Sequence, residues 1–176
     1  MTTTTIHIPT LETERLILRA HTLADFDAIA GFYASDRSKF VGGPMSAELA
    51  WRNMSQEAGH WVLQGFGRWI LEEKATGKTV GMVGLWYPAG FPERELGYDL
   101  YEGATGKGYA TEAATAARAY AYDVLGWTTV ISLIAKDNAA SIAVATRMGA
   151  KADGTFPHER FGETIIMRHP SPEGLS

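Results

Sequence analysis

Cysteine is absent from this sequence of 176 residues. Without thiols the chain can form no disulfide framework, no thiolate metal site and no acyl-enzyme on sulfur. The five histidines, at positions 7, 21, 60, 158 and 169, lack the short spacing of metal ligands. We therefore expect no metal, and the lack of cysteine is compatible with a reducing cytoplasm.

Long apolar runs and basic tracts are missing as well. No stretch approaches the roughly 20 apolar residues that span a bilayer, and residues 1–9 lack the charged and apolar segments of a signal peptide. Sixteen lysines and arginines stand against 20 aspartates and glutamates, a net charge of −4. This balance argues against a nucleic-acid partner and is compatible with a cationic substrate such as an amine. We expect a cytoplasmic protein with neither nucleic-acid nor membrane partners.

The remaining composition is that of an ordinary globular protein, 45% hydrophobic and 20% charged. A single domain usually has about 100–200 residues. We therefore expect residues 1–176 to form one domain whose core lies between about residues 11 and 169, with polar ends.

Hydrophobic periodicity predicts the element order β-α-α-β-β-β-α-β-α-β-β. The predicted strands cover residues 15–19, 68–73, 79–86, 94–101, 130–135, 151–156 and 164–168. The predicted helices begin after Thr22, Ser46 and Gly108, and the last one after Asn138 or Asp137. This order indicates an α/β (α+β) fold: a mixed, mostly antiparallel sheet of about seven strands, flanked by helices on both faces.

The segment Gly106-Lys107-Gly108 lies between a predicted strand and a predicted helix. Unpaired N–H groups at a helix N-terminus bind phosphate, and glycine tolerates positive φ and lets the backbone approach closely. Lys107 would add a cation at the rim. A plain turn without a ligand has the same pattern. A Walker A loop does not fit, since Tyr101 replaces its first glycine, and a Rossmann loop does not fit, since Thr111 replaces its third.

Three blocks resemble the GNAT superfamily of acetyltransferases, in the order that this family has them. They are ETERLILR at 12–19, ELGYDL at 95–100 with GKGYATEA at 106–113, and NAASI at 138–142 with RMGA at 147–150. The chain is most similar to the RimJ/RimL-type branch, the ribosomal-protein N-terminal acetyltransferases. It departs from the family pattern at Thr105, where glutamine or arginine is common.

The resemblance implies that acetyl-CoA binds as the acetyl donor. Its pyrophosphate would rest on the loop, and its pantetheine arm would follow the strand that ends at Leu100, beside the strand at residues 130–135. The cofactor-binding residues implied are Asp99, Leu100, Tyr101, Thr105, Gly106, Lys107, Gly108, Tyr109, Ala110, Thr111, Asn138 and Ser141.

The resemblance also implies candidates for catalysis. Glu95 is the candidate base, acting directly or through water, because strand alternation places it on the polar face with Asp99. Ser141 resembles the residue that acts as acid for the departing thiolate in this branch, with Tyr98 or Tyr101 as rivals. Structural roles remain open: Glu95 as a solvated carboxylate or a partner of Arg94, Ser141 as a serine bonded to the helix backbone, and Asn138 as a helix cap.

The function implied is an N-acetyltransferase in which a primary amine attacks acetyl-CoA directly in a ternary complex. The acceptor would be a protein N-terminal α-amine or a small-molecule amine, and the enzyme a monomer or homodimer. The alternative is a non-catalytic acyl-CoA-binding or sensing module. The loop at residues 156–161 either edges the acceptor site or is a plain exposed hairpin.

Overall fold

The computed structural model describes residues 5–175, in which eight strands form one sheet in the order β1-β2-β3-β4-β5-β6-β8-β7. The strands are β1 Leu11–Glu12, β2 Leu16–Arg19, β3 Arg68–Glu73, β4 Lys78–Trp86, β5 Glu95–Leu100, β6 Ile131–Ala135, β7 Lys151–His158 and β8 Gly162–Arg168. The helices are α1 Phe26–Ala34, α2 Ala47–Gln64, α3 Tyr109–Asp123 and α4 Ala139–Arg147.

The predicted fold class is confirmed: the sheet is mixed and mostly antiparallel, with helices on both faces. The additional strand is β1, whose two residues pair antiparallel with β2 and are too few to show a periodicity. Ser46 begins α2 as a cap, since its hydroxyl accepts a hydrogen bond from the Leu49 N–H at 3.3 Å. Within residues 5–175, no helix combines the length and apolar character that crossing a membrane requires.

The two faces of the sheet carry different helices. Ile29 of α1 and Met54 of α2 belong to the cluster that contains Ile70, Met82 and Tyr101. On the opposite face, α3 packs against β2 to β5 through small side chains, Ala113, Ala114, Ala117 and Ala121, all with no solvent exposure. Because alanine lets a helix approach closely, the start of α3 is held firmly at the end of β5.

Strands β5 and β6 form the parallel pair of the sheet and are in register where Glu95 meets Ile131. Beyond this pair, hydrogen bonds that involve side chains replace the backbone hydrogen bonds between the two strands. The Ser132 hydroxyl donates to the Leu96 carbonyl at 2.6 Å, and the Leu133 N–H donates to the Glu95 carboxylate at 3.1 Å. Beyond these contacts the two strands diverge, and the gap between them opens into a cleft.

Candidate active site

The cleft has a volume of about 1240 Å³ and runs through the gap between β5 and β6. Its walls include strands β5 and β6, helices α2 and α4, the segment between α1 and α2, the loop at residues 105–112, and the turn between β7 and β8. Many of the residues singled out from the sequence line it, namely Glu95, Tyr98, Asp99, Leu100, Thr105, Gly106, Gly108, Ala110, Thr111, Asn138 and Ser141. A cleft of this size suits an extended ligand.

The glycine loop has the backbone that the sequence predicts. Gly106 has φ of 79° and Gly108 has φ of 82°, both in the left-handed region that favours glycine. A Cβ at Gly106 would meet nothing within 4 Å, so the requirement there is conformational rather than steric. Gly108 is the residue before α3, and the first N–H groups of this 15-residue helix therefore lie at the cleft wall.

The segment before β2 holds this loop in position. The Arg15 side chain donates from Nε to Glu112 at 2.7 Å and from Nη1 to the Lys107 carbonyl at 2.8 Å. The Thr13 hydroxyl donates to the same Glu112 carboxylate at 2.6 Å. The sequence analysis identified residues 12–19 only as part of a family resemblance. Their spacing does not indicate that their partner, Glu112, lies almost 100 positions further along the chain. The role of this segment in the structure is to anchor the loop.

The Lys107 side chain does not lie at the cleft, which corrects the expectation of a cation at the phosphate rim. Its ammonium is 3.3 Å from Glu73, which also accepts a hydrogen bond from the Tyr109 hydroxyl. The hydroxyl of Tyr109, with help from Thr76 and the Lys107 ammonium, lowers the pKa of Glu73 to about 2.

The cation that does line the cleft at the loop is Arg147, which sequence reasoning did not single out. Its Nη1 donates to the Thr111 hydroxyl at 3.2 Å, across the contact between α4 and the first turn of α3. A guanidinium in this position strengthens the preference of the loop for an anion.

The hydrogen-bond ladder decides which groups of β5 face the gap. The Tyr101 N–H donates to the Val80 carbonyl of β4 at 2.9 Å. Along an antiparallel strand, successive residues direct their backbone N–H and C=O groups alternately to one neighbouring strand and to the other side. The backbone groups of Asp99 and Tyr101 therefore bond to β4, and those of Tyr98 and Leu100 point toward the gap. The expectation that Asp99 and Tyr101 offer backbone groups to a ligand is therefore corrected, whereas Leu100 keeps that position.

Tyr101 is also removed from the site by its side chain. The ring is 4% exposed and stacks on Phe32 with ring centroids 4.9 Å apart, under the cover of α1. It is absent from the walls of the cleft. Of the two tyrosines named as rival acids, only Tyr98 lines the cleft.

Glu95 lies where β5 and β6 separate. Burial raises the pKa of its carboxyl to about 7, although the Leu133 N–H bond opposes this shift. The alternative that Glu95 pairs with Arg94 does not describe the structure, since the Arg94 guanidinium lies over the Trp127 ring, 4.7 Å from its centroid. Glu95 is thus a desolvated carboxyl facing the cleft with a pKa near neutrality.

A buried ionic cluster lies beside Glu95, and sequence reasoning missed it. Arg68 of β3, only 8% exposed, contacts Asp99 at 2.5 Å and Glu57 of α2 at 3.2 Å. Burial raises the pKa of Glu57 to about 7 as well. These residues come from three elements, so only their packing brings them together. With Glu95, they make this end of the cleft rich in carboxyl groups.

Tyr98 of β5 and Ser141 of α4 meet at the wall of the cleft. The Tyr98 hydroxyl donates to the Ser141 carbonyl at 3.0 Å, and the Ser141 hydroxyl donates to the Tyr98 oxygen at 3.2 Å. Burial raises the pKa of Tyr98 to about 12, which keeps its proton in place at neutral pH. Asn138 accepts a hydrogen bond from the Ser141 N–H at 3.2 Å and so caps α4. The two hydroxyls form one hydrogen-bonded unit that lines the same cleft as Glu95.

Across residues 5–175, histidines and carboxylates do not assemble into a group of three or more that could hold a metal ion.

Comparisons with known proteins agree with this geometry. The family model for the acetyltransferase (GNAT) domain matches residues 15–151. A solved acetyltransferase from Agrobacterium tumefaciens is 38% identical, with a TM-score of 0.85, over 96% of this chain and 98% of its own. The uncharacterized N-acetyltransferase YoaA of Bacillus subtilis is 29% identical over 84% of this chain and 86% of its own.

A more distant structure shares the fold. Spermidine N-acetyltransferase from Vibrio cholerae, in complex with CoA and spermine, is 16% identical with a TM-score of 0.75, over 93% of this chain and all of its own. The family match covers most of this chain, and the cleft, the loop and the parted strands are the features that such an enzyme needs. The chain belongs to the GNAT family and is an acetyl-CoA-dependent acetyltransferase.

Proposed function

We propose that this enzyme transfers the acetyl group of acetyl-CoA to a primary amine by direct attack, with both substrates in the cleft together. The observation that carries this proposal is the position of the Glu95 carboxyl, which lines the cleft where β5 and β6 part. Burial raises the pKa of this carboxyl to about 7, which suits a group that must take up a proton at neutral pH. The absence of cysteine from the sequence rules out an acyl-enzyme on sulfur, so a ternary complex is the simpler route.

The residues present fit acetyl-CoA. The N–H groups from Gly106 to Thr111 are suited to the pyrophosphate, with Arg147 as the neighbouring cation. The backbone groups of Tyr98 and Leu100 that face the gap are suited to a pantetheine arm lying along β5 in the manner of an added strand. Thr105 lines the cleft at the first position of the loop, where a site built from backbone groups depends least on the side chain.

When bound, acetyl-CoA supplies the thioester that is attacked. The Leu100 N–H points into the gap and is the group we assign to the thioester oxygen, where it would stabilise developing negative charge. Glu95 accepts the proton that the acceptor amine must lose, either directly or through a water molecule.

The Ser141 hydroxyl of the Tyr98–Ser141 pair would donate a proton to the departing sulfur, and solvent water would replace the proton on the serine oxygen. Because the Ser141 hydroxyl donates to the Tyr98 oxygen while Tyr98 donates to a carbonyl, the serine proton is the one free to turn toward a thiolate. Tyr98 then acts through Ser141, which it orients. Asn138 supports both by capping α4, so we assign it a positioning role.

The acceptor class follows from resemblance. Similarity to the RimJ/RimL-type branch favours a protein N-terminal α-amine, and the spermine bound to one neighbour keeps a small-molecule amine as the rival. We also propose a single domain that acts in the cytoplasm, as a monomer or homodimer, without nucleic-acid or membrane partners.

The test is incubation with labelled acetyl-CoA and a panel of N-terminal peptides, polyamines and aminoglycosides. The proposal predicts acetylation of at least one amine and saturation by both substrates without a labelled enzyme intermediate. Tight CoA binding with no amine acetylated would instead favour a non-catalytic acyl-CoA-binding module.

A further inference from the structure

Three exposed cations line the cleft on the side of the sheet that α1 and α2 cover, in addition to the buried Arg68. Arg37 and Lys39 belong to the short 3-10 turn Asp36–Phe40 that follows α1, and Arg160 belongs to the turn between β7 and β8. All three side chains are exposed. We call Arg37, Lys39 and Arg160 the basic rim.

The basic rim stands out because its charges are not neutralised. Within the described part of the chain, none of the three forms an ion pair with a carboxylate: Arg37 donates to the Leu100 carbonyl at 3.3 Å, and the acidic side chain that lines the cleft beside them is Asp36. Acidic residues outnumber basic ones in this protein, and most of its other arginines hold a carboxylate. Unpaired cations collected at one cleft therefore indicate a role beyond folding.

A glycine in the sequence leaves space for the side chain of one of these cations, Arg160. Gly42 is buried with φ of 104°, and a Cβ built on it would lie 2.3 Å from Nη1 of Arg160. The guanidinium thus occupies the space that a side chain at position 42 would need. This contact joins the β7–β8 turn to the segment that carries Lys39 and brings cations from two distant parts of the chain to one rim.

The basic rim lies apart from the loop to which we assign the cofactor phosphates. That loop begins α3, on the opposite face of the sheet from α1 and α2. The carboxyl cluster of Glu57, Asp99 and Glu95, in contrast, lines the cleft on the same side as the rim. The acceptor side of the cleft therefore combines a floor of carboxyl groups, of which Glu57 and Asp99 are paired with Arg68 and Glu95 is not, with a basic rim.

We infer that the acceptor carries a carboxylate in addition to its amine, and that Lys39 and Arg160 hold this carboxylate while the amine lies near Glu95. The inference rests on the proposed function, since it assigns the carboxyl floor and the basic rim to one acceptor. Guanidinium and ammonium groups pair well with carboxylates. A polyamine would bring a second cation toward the rim and be repelled. A free acidic amino acid and a peptide with acidic residues after its N-terminus share the required chemistry.

The experiment compares acceptors of equal size and different charge at low ionic strength. The probes are C-terminally amidated tripeptides with N-terminal serine followed by two glutamates, two alanines or two lysines, together with free L-glutamate and spermidine. Exposed ion pairs contribute a few-fold each, so we expect kcat/KM to be about tenfold higher for the glutamate tripeptide than for the alanine one, with less activity on the lysine tripeptide and spermidine. Activity on free glutamate above that on the glutamate tripeptide would identify a small-molecule acceptor, and the reverse a peptide.

Variants locate the preference at the rim. Lys39→Gln and Arg160→Gln should each lower kcat/KM several-fold for the glutamate tripeptide and by a smaller factor for the alanine tripeptide, so that the preference between the two falls. The matched control is Lys151→Gln, which removes an exposed cation from β7 that does not line the cleft. Arg160→Glu should shift the preference toward the lysine tripeptide.

The results distinguish a failure of this inference from a failure of the proposed function. Equal rates on the acidic, neutral and basic tripeptides, or a preference for spermidine, would overturn this inference and leave acetyl transfer to an amine intact. Acetyl-CoA binding without transfer to any probe would overturn the proposed function and this inference together.

Discussion

Replacing Glu95 with glutamine tests whether a desolvated carboxyl lies where the two strands part. Burial raises the pKa of this group from its ordinary value of 4.5 to about 7. At 1.36 kcal/mol per pH unit, this rise corresponds to an upper value of roughly 3 kcal/mol of free energy. Glutamine keeps the shape and the oxygen that accepts the Leu133 N–H, and it removes the ionisation.

The sign of the effect follows from the two pKa values of Glu95. Below about pH 4.5 the carboxyl is protonated in both the folded and the unfolded chain and does not change the free energy of unfolding. Between pH 4.5 and 7 the unfolded chain loses its proton first, so the free energy of unfolding falls as pH rises, and above pH 7 the loss is complete. Relative to the parent protein, Glu95→Gln should therefore gain stability with rising pH, by about 1–3 kcal/mol at pH 8.

The assay is urea unfolding of both proteins at several values between pH 5 and pH 8. The matched control is Glu102→Gln, which removes an exposed glutamate just after β5 and should change this pH dependence little. In the same variant, kcat should fall by about 10²-fold or more, and the limb of the rate profile near pH 7 should disappear. A stability difference that does not depend on pH, or a retained limb near pH 7, would refute the account of Glu95.

Three other changes test separate parts of the cleft. Gly108→Trp should abolish the binding of acetyl-CoA, as measured by calorimetry. The control Gly103→Trp, at a similar φ of 75° but away from the cleft, should leave binding intact. Equal affinities of the two variants would show that the loop is not part of the cofactor site. Tyr98→Phe should lower kcat about tenfold with little change in the KM for acetyl-CoA, because it frees the Ser141 hydroxyl from its partner; an unchanged kcat would exclude the pair from catalysis. Ser132→Ala leaves the Leu96 carbonyl without its buried donor and should cost about 1–3 kcal/mol in chemical unfolding, a loss that an unaltered midpoint would contradict.

The sequence predicts the order of the elements well because its local signals agree with the final packing. Strand β3 falls on the predicted residues, and Ser46 and Asn138 begin α2 and α4 as caps. Strand β1 escapes prediction because two residues carry no period, and it exists only through its pairing with β2.

The candidate site is predictable where it is local and unpredictable where it depends on packing. The positive φ of Gly106 and the position of Glu95 are predictable because each depends on one local element, a loop and the strand that precedes it in the sequence. The meeting of Glu57 with Arg68 depends on how α2 lies on the sheet, and the direction of Lys107 on the position of Glu73 in β3. No spacing along the chain encodes such contacts.

The most direct measurement of the central claim is a single-turnover reaction of the enzyme with acetyl-labelled acetyl-CoA and an amine acceptor, followed by mass spectrometry of both protein and acceptor. The account predicts that the label passes to the acceptor amine in one phase, that the protein never carries it, and that Glu95→Gln slows this phase while acetyl-CoA still binds. Label retained on the protein, or a transfer rate that Glu95→Gln leaves unchanged, would contradict direct attack assisted by Glu95.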